Sequence, residues 1–98
     1  MEHAYTHTTW VVTPEQEAEF VRRWQDWAQW SHQAGLQAHA MLLRDVDNPM
    51  IHVSFGRWES VNTARDWRLL TGYQERVKAL GGVVEQFEPR TLRLVTRG

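Results

Sequence analysis

Residues 56–73 place Asn62, Trp67 and Tyr73 close behind Trp58, which ends a strand and reads mainly as a hinge and packing residue, in a chain that holds six tryptophans in all. An indole offers a flat apolar wall and a single N–H donor, and a tyrosine adds a hydroxyl that both donates and accepts. Together they can wall a pocket for a planar ligand and hold its oxygen atoms. Trp67 also shares an apolar stripe with Ala64 and Leu70, so a plain core position is the competing reading. For Asn62 the competing reading is a solvated residue of a helix's first turn.

The other candidates are dispersed. His39 and His52 fall on two neighbouring strands and can face each other across the ladder. A neutral imidazole, with an ordinary pKa of about 6.5, suits a general base. A hydrogen-bonded structural histidine is the alternative. Two histidines without a carboxylate at helical or hairpin spacing do not make a metal site, and none is expected. His52 alternates with Ile51, Val53 and Phe55. If that aliphatic row packs on the helices, the histidines face the opposite side of the sheet, toward a partner subunit. Arg90 follows Pro89 and can reach a cavity mouth to bind a carboxylate or enolate oxygen; an exposed strand-edge charge is the alternative. Trp27 reads as core. Trp30 sits at the margin of the same helical stripe, where it lines a cavity opening or meets a partner.

Elements to position these residues follow from the local pattern. Residues 4–12, rich in Thr, Val and aromatics, read as a strand. Thr13, Pro14 and Gln16 form a capping-box signature, and a helix runs from there to about Ala34, stopped by Gly35. Its apolar stripe is Phe20, Trp24, Trp27, Ala28 and Ser31. Residues 36–44 and 50–58 read as a hairpin about the turn 45–49. Ser60 caps a second helix through Val61, Ala64, Trp67 and Leu70. Thr71-Gly72 interrupts it, and a further stretch carries Tyr73, Val77 and Leu80 to Gly81-Gly82. Residues 83–97 read as a last strand, with Glu88-Pro89 marking a bulge or bend. The order β-α-β-β-α-β predicts an α+β, ferredoxin-like domain: a four-stranded antiparallel sheet with two helices on one face. The other face also carries apolar residues and needs a cover, which two sheets paired in a homodimer would give.

Composition narrows the rest. The 98 residues make one domain, 1–98, with no repeat or linker. Hydrophobic residues are 42% and charged residues 23%, an ordinary globular balance that argues against disorder. A net charge of -1 gives no footprint for nucleic acid. The absence of cysteine excludes disulfides, thiolate metal sites and a cysteine nucleophile. No apolar leader or membrane-length run occurs, so the expected location is cytoplasmic. No Walker, G-x-G-x-x-G, H-E-x-x-H or G-x-S-x-G motif is present.

The passage "IHVSFGRWESVNTARDW", an aromatic six residues after Trp67, then "VVEQFEP" and a final strand resemble the antibiotic biosynthesis monooxygenase family over nearly the whole chain in element order. The resemblance implies a dimeric α+β barrel with a cavity between helices and sheet. It implies oxidation of an anthrone, quinol or polyketide-type phenol by O2 without a cofactor. In such members an Asn, a Trp and a Tyr or His of this helix line the cavity. Trp67 and Tyr73 match that spacing, and Asn62 stands one residue earlier than it. The expected catalytic set is therefore Trp67, Tyr73, Asn62 and His52, with Trp27, Trp30, His39, Phe55 and Arg90 binding substrate. The substrate loses a proton, its electron-rich anion reduces O2, and the protein supplies a water-poor slot and donors for the oxyanion. Haem-degrading members carry a ligating His about ten residues after the helix Trp and an Asn on the first strand; here position 77 is Val, and Thr8 or Thr9 stands on the strand. A polyketide cyclase or isomerase on the same fold, and a non-catalytic dimeric binding module, are the alternatives.

Overall fold

In the computed structural model, which describes residues 3–37 and 40–98, the first strand is β1, Ala4–Val11. Its side chains alternate strictly between buried and half-buried, so Ala4, Thr6, Thr8 and Trp10 form one face. β1 lies at the centre of a four-stranded antiparallel sheet ordered β2-β3-β1-β4, with β2 at Met41–Arg44, β3 at Ile51–Trp58 and β4 at Gln86–Arg93. Helix α1, Glu17–Gln33, and the pair α2, Val61–Leu69, and α3, Thr71–Gly81, complete the α+β, ferredoxin-like order. The helices bury the Trp10 side of the sheet, against Phe20, Trp24, Trp27, Ala64, Trp67 and Leu80.

The start of α1 differs from the expected capping box. Thr13 makes no side-chain cap bond, and a single 3-10 turn, Pro14–Gln16, precedes the helix. The Gln16 amide bonds the Thr13 carbonyl instead, so the backbone satisfies the donor that the side chain was expected to take. The end of α1 is as read. Gly35 adopts φ 116°, and the amides of Gly35 and Leu36 return to the carbonyls of His32 and Ser31, which is a Schellman closure. That closure delivers Leu36 onto the sheet at 6% exposure.

Ser60 caps α2 by accepting the Thr63 amide at 3.1 Å. The helix breaks one residue earlier than expected, at Leu70, whose ψ of 140° is extended. Gly72 lies inside α3 because the Trp30 ring covers it: a Cβ there would stand 2.4 Å from the ring. In the 45–49 turn, Asp45 Oδ1 accepts the amides of Asp47 and Asn48. The expected strand 36–44 contracts to β2, with residues 36 and 37 outside it and 38 and 39 outside the described residues. The bulge expected at Glu88-Pro89 does not form. Pairing runs unbroken from Val11–Gln86 to Ala4–Arg93, and Pro89 is accommodated because β4 is an edge strand.

The helix-free face carries Met41, Leu43, Ile51, Val53, Phe55 and Leu92, as the cross-strand register and alternation require. Met41 is 53% exposed and Leu43 49%. This overturns the face expected for His52. The aliphatic row of β3 points away from the helices, and His52 lies beneath them at 3% exposure. The register decides it: His52 pairs with Trp10, and the large aromatics claim the helix-covered side.

Candidate functional site

Between α1, α2 and the β1–β3 half of the sheet lies a cavity of about 20 Å³. Four tryptophans, Trp24, Trp27, Trp58 and Trp67, form its walls, and Thr6, Thr8, Ser31 and Ser54 place hydroxyls among them. Helical spacing explains the α1 side: positions 24, 27 and 31 recur at three and four residues and share one face. Strand alternation explains the floor, where Thr6 and Thr8 lie beside Ser54 and Trp58.

Trp67 is held on every side. Its ring centre is 4.7 Å from Trp58, 5.4 Å from Trp27 and 4.6 Å from Tyr73. Its Nε1–H donates to Ser31 Oγ at 3.0 Å, and Ser31 in turn donates to the Trp27 carbonyl at 2.7 Å. Trp58 Nε1–H donates to Thr6 Oγ1 and Trp10 Nε1–H to Ser54 Oγ, each at 3.0 Å. The indoles of Trp24 and Trp27 differ: each N–H is buried without an acceptor among the described residues. Leaving such a donor unpaired costs about 1–3 kcal/mol.

The expected site residues separate in space. Trp67 and Trp27 line the cavity, and Phe55 contributes to its floor while its ring packs on His7 at 5.0 Å on the far side of the sheet. Tyr73 stands behind Trp67, half-buried, with its hydroxyl accepting from Arg68 Nη1 at 2.8 Å. Asn62 is exposed on the first turn of α2, away from the lining residues. Trp30 lies over Gly72 and beneath the Arg76 guanidinium, 4.7 Å from its ring centre, and does not line the cavity. Arg90 is on the helix-free face, paired with Glu88, so it does not reach the cavity mouth. His39 lies outside the described residues.

His52 is also away from the cavity lining. Its Nε2 meets Glu17 Oε2 at 2.9 Å, its ring packs edge-on to Phe20 at 5.5 Å, and its Nδ1 is buried without a partner among the described residues. Arg44 clamps both oxygens of Glu17 at 2.8 Å. The Arg44 guanidinium, then the His52 ring, hold the Glu17 carboxyl below the usual carboxylate range. Among the described residues no group of three or more His, Asp or Glu is placed to share a metal ion.

Several residues of this site were not anticipated as such. Arg68 bonds Tyr73, Thr91 and the Arg90 carbonyl and stacks 5.2 Å over Trp67, so it ties the aromatic cluster to β4. Ser31 was read as part of a stripe; a hydroxyl in an otherwise apolar row was the available signal. Thr6, Thr8 and Ser54 carried the same signal, as small polar residues at the inward positions of strands.

Solved structures similar to this one share its architecture. A cofactor-independent oxygenase, SnoaB from Streptomyces nogalater, superposes with a TM-score of 0.83 over 100% of this chain and 96% of its own, at 17% identity. The fold is that of the antibiotic biosynthesis monooxygenases. A candidate antibiotic biosynthesis monooxygenase from Deinococcus radiodurans gives 0.82 at 16% identity, over 96% of this chain and 94% of its own. A conserved protein from Methanosarcina mazei gives 0.80 at 14%, over 93% and 91%. No sequence-family profile matches the chain, and no curated protein matches it. In this monooxygenase-like fold the cavity lies between helices and sheet, where the family resemblance implies one; its four tryptophan walls are a finding of the structure. No described helix is long and apolar enough to cross a membrane.

Proposed function

We propose that the chain is a cofactor-independent monooxygenase that uses O2 to oxidise a polycyclic phenol, quinol or anthrone. The observation that carries this reading is the cavity wall: closely packed, tilted indoles with hydroxyls between them, on the fold that SnoaB also has. The chemistry asks the protein mainly for an apolar enclosure and fixed donors. The substrate gives up a proton, and its carbanion bonds to O2. The peroxide then takes up a proton and loses water, leaving a new carbonyl. One oxygen atom enters the product and the other leaves as water. Trp67, braced by Ser31, Trp58 and Tyr73, orients the ring system. Asn62 and His52 are not among the residues that line the cavity in this arrangement. An oxygen-electrode assay over a panel of anthrones and naphthols tests the reading. Uptake above the uncatalysed rate is expected, and none across the panel would refute it. Conversion of the same panel without O2 would indicate a cyclase or isomerase instead.

One observation favours a second reading, a non-catalytic dimeric module. A cavity of about 20 Å³ holds roughly one water, so a polycyclic ring enters only if the wall side chains part. A lack of binding by any flat aromatic would leave this reading in place.

Both readings include a homodimer in which the helix-free faces meet. Its support is the apolar row Met41, Leu43, Ile51, Val53, Phe55 and Leu92, which no element of the chain covers among the described residues.

A further inference from the structure

Three of the five indoles in the aromatic core have been given dedicated acceptors. Trp10 has Ser54, Trp58 has Thr6, and Trp67 has Ser31. The acceptors come from three different elements, so the pattern reflects placement at each site rather than one accident of register. Trp24 and Trp27 break the pattern. Each is more than nine-tenths buried, at 7% and 6% exposure, and each N–H lacks an acceptor among the described residues. They stand three residues apart on one face of α1 and line the same cavity. The cavity has the volume of a single oxygen-sized group.

We propose that the Trp24 and Trp27 indole N–H groups are the specificity-determining donors of this pocket, selecting a ligand by an acceptor oxygen, carbonyl or phenolate, borne on an aromatic ring. This rests on the reading of the cavity as a substrate pocket. It assigns oxygen recognition to α1, whereas the residues first singled out for chemistry lie on α2 and α3. The division of labour is physical. The Trp67 donor is occupied by Ser31, and Arg68 already donates to the Tyr73 hydroxyl. Among the indoles of the wall, those of α1 hold the N–H donors without an acceptor among the described residues, and a buried donor without a partner gains most from an arriving acceptor.

The test is titration of the protein, with its tryptophan indoles labelled with nitrogen-15, by 1-naphthol and separately by naphthalene. An N–H that gains an acceptor moves downfield. The Trp24 and Trp27 resonances are expected to move downfield with 1-naphthol and not with naphthalene, while those of Trp10, Trp58 and Trp67 stay near their starting positions. Trp24→Phe and Trp27→Phe keep a ring and delete the donor. Each is expected to weaken 1-naphthol binding about five- to tenfold, the worth of one hydrogen bond, with naphthalene binding unchanged. If either variant fails to fold, the wild-type titration still decides. Equal movement with both probes, or none with 1-naphthol, overturns the inference. Naphthol held by these donors without O2 consumption removes the oxygenase reading and leaves the inference standing. O2 consumption with both resonances unmoved does the reverse.

Discussion

Ser31 decides where Trp67 points. Its hydroxyl accepts from the indole and donates to the Trp27 carbonyl, so both of its bonds are committed. Ser31→Ala leaves the Trp67 N–H buried without a partner, and a loss of about 1–3 kcal/mol in urea unfolding is expected. Glu17 acts at the other end of α1. Its carboxyl is held below its ordinary value, so the unfolded chain takes up its proton first as the pH falls. The link to Arg44 and His52 therefore contributes fully above the ordinary carboxylate pKa and is lost as the pH falls through the lower, folded value. Melting temperatures followed from neutral pH to about pH 3 should show a shallower acid limb for Glu17→Gln than for the parent. A parallel pair of curves would contradict this. At this scale the sequence was only half readable. Spacing alone puts Trp27 in the core and leaves Trp67 between core and pocket; the family resemblance, not the spacing, points Trp67 toward a cavity, and both residues line it. Asn62 and Arg90 were not placed correctly, because neither spacing nor residue type tells which turn of a helix or which side of an edge strand meets a cavity.

The elements were more legible than the side chains because their signals are local. Ser60 before Val61, Gly35 after α1, and Asp45 and Asn48 in the hairpin each act on amides within five residues. What local reasoning missed depends on distant neighbours. Gly72 was read as a helix breaker, yet it sits in α3 because Trp30, forty-two positions away, needs the space. Gly72→Ala should consequently destabilise by about 1–3 kcal/mol through overpacking, although alanine is the better helix former. Ser60→Ala should cost about 1 kcal/mol through the lost cap. Denaturant midpoints measure both, and a stabilised Gly72→Ala variant would show that the ring moves aside freely. The face of His52 is conditional in the sequence for the same reason: its side depends on its partner Trp10 across the ladder, not on Ile51 and Val53 beside it.

For the whole molecule, the expected α+β, ferredoxin-like architecture follows from element order, and the structure adds the strand order β2-β3-β1-β4. The sheet's two faces are unequal. One is covered by the helices, and the other holds a half-exposed apolar row that includes Val53. If two copies pair through that row, Val53→Asp sets buried charges against each other and yields a monomer, which light scattering after gel filtration would detect. A parent already monomeric at high concentration would remove the dimer.

The indoles of Trp58, Trp67, Trp27 and Trp10 follow one another at 4.7, 5.4 and 5.6 Å between ring centres. At such separations the rings do not absorb or emit light independently. An excited state formed on one is shared along the row before a photon leaves, so the emission loses polarisation even in a rigid molecule. The near-ultraviolet circular dichroism should carry a coupled pair of bands of opposite sign. The interior thus contains its own optical gauge, which reads the alignment of α1 and α2 over the sheet without any added label.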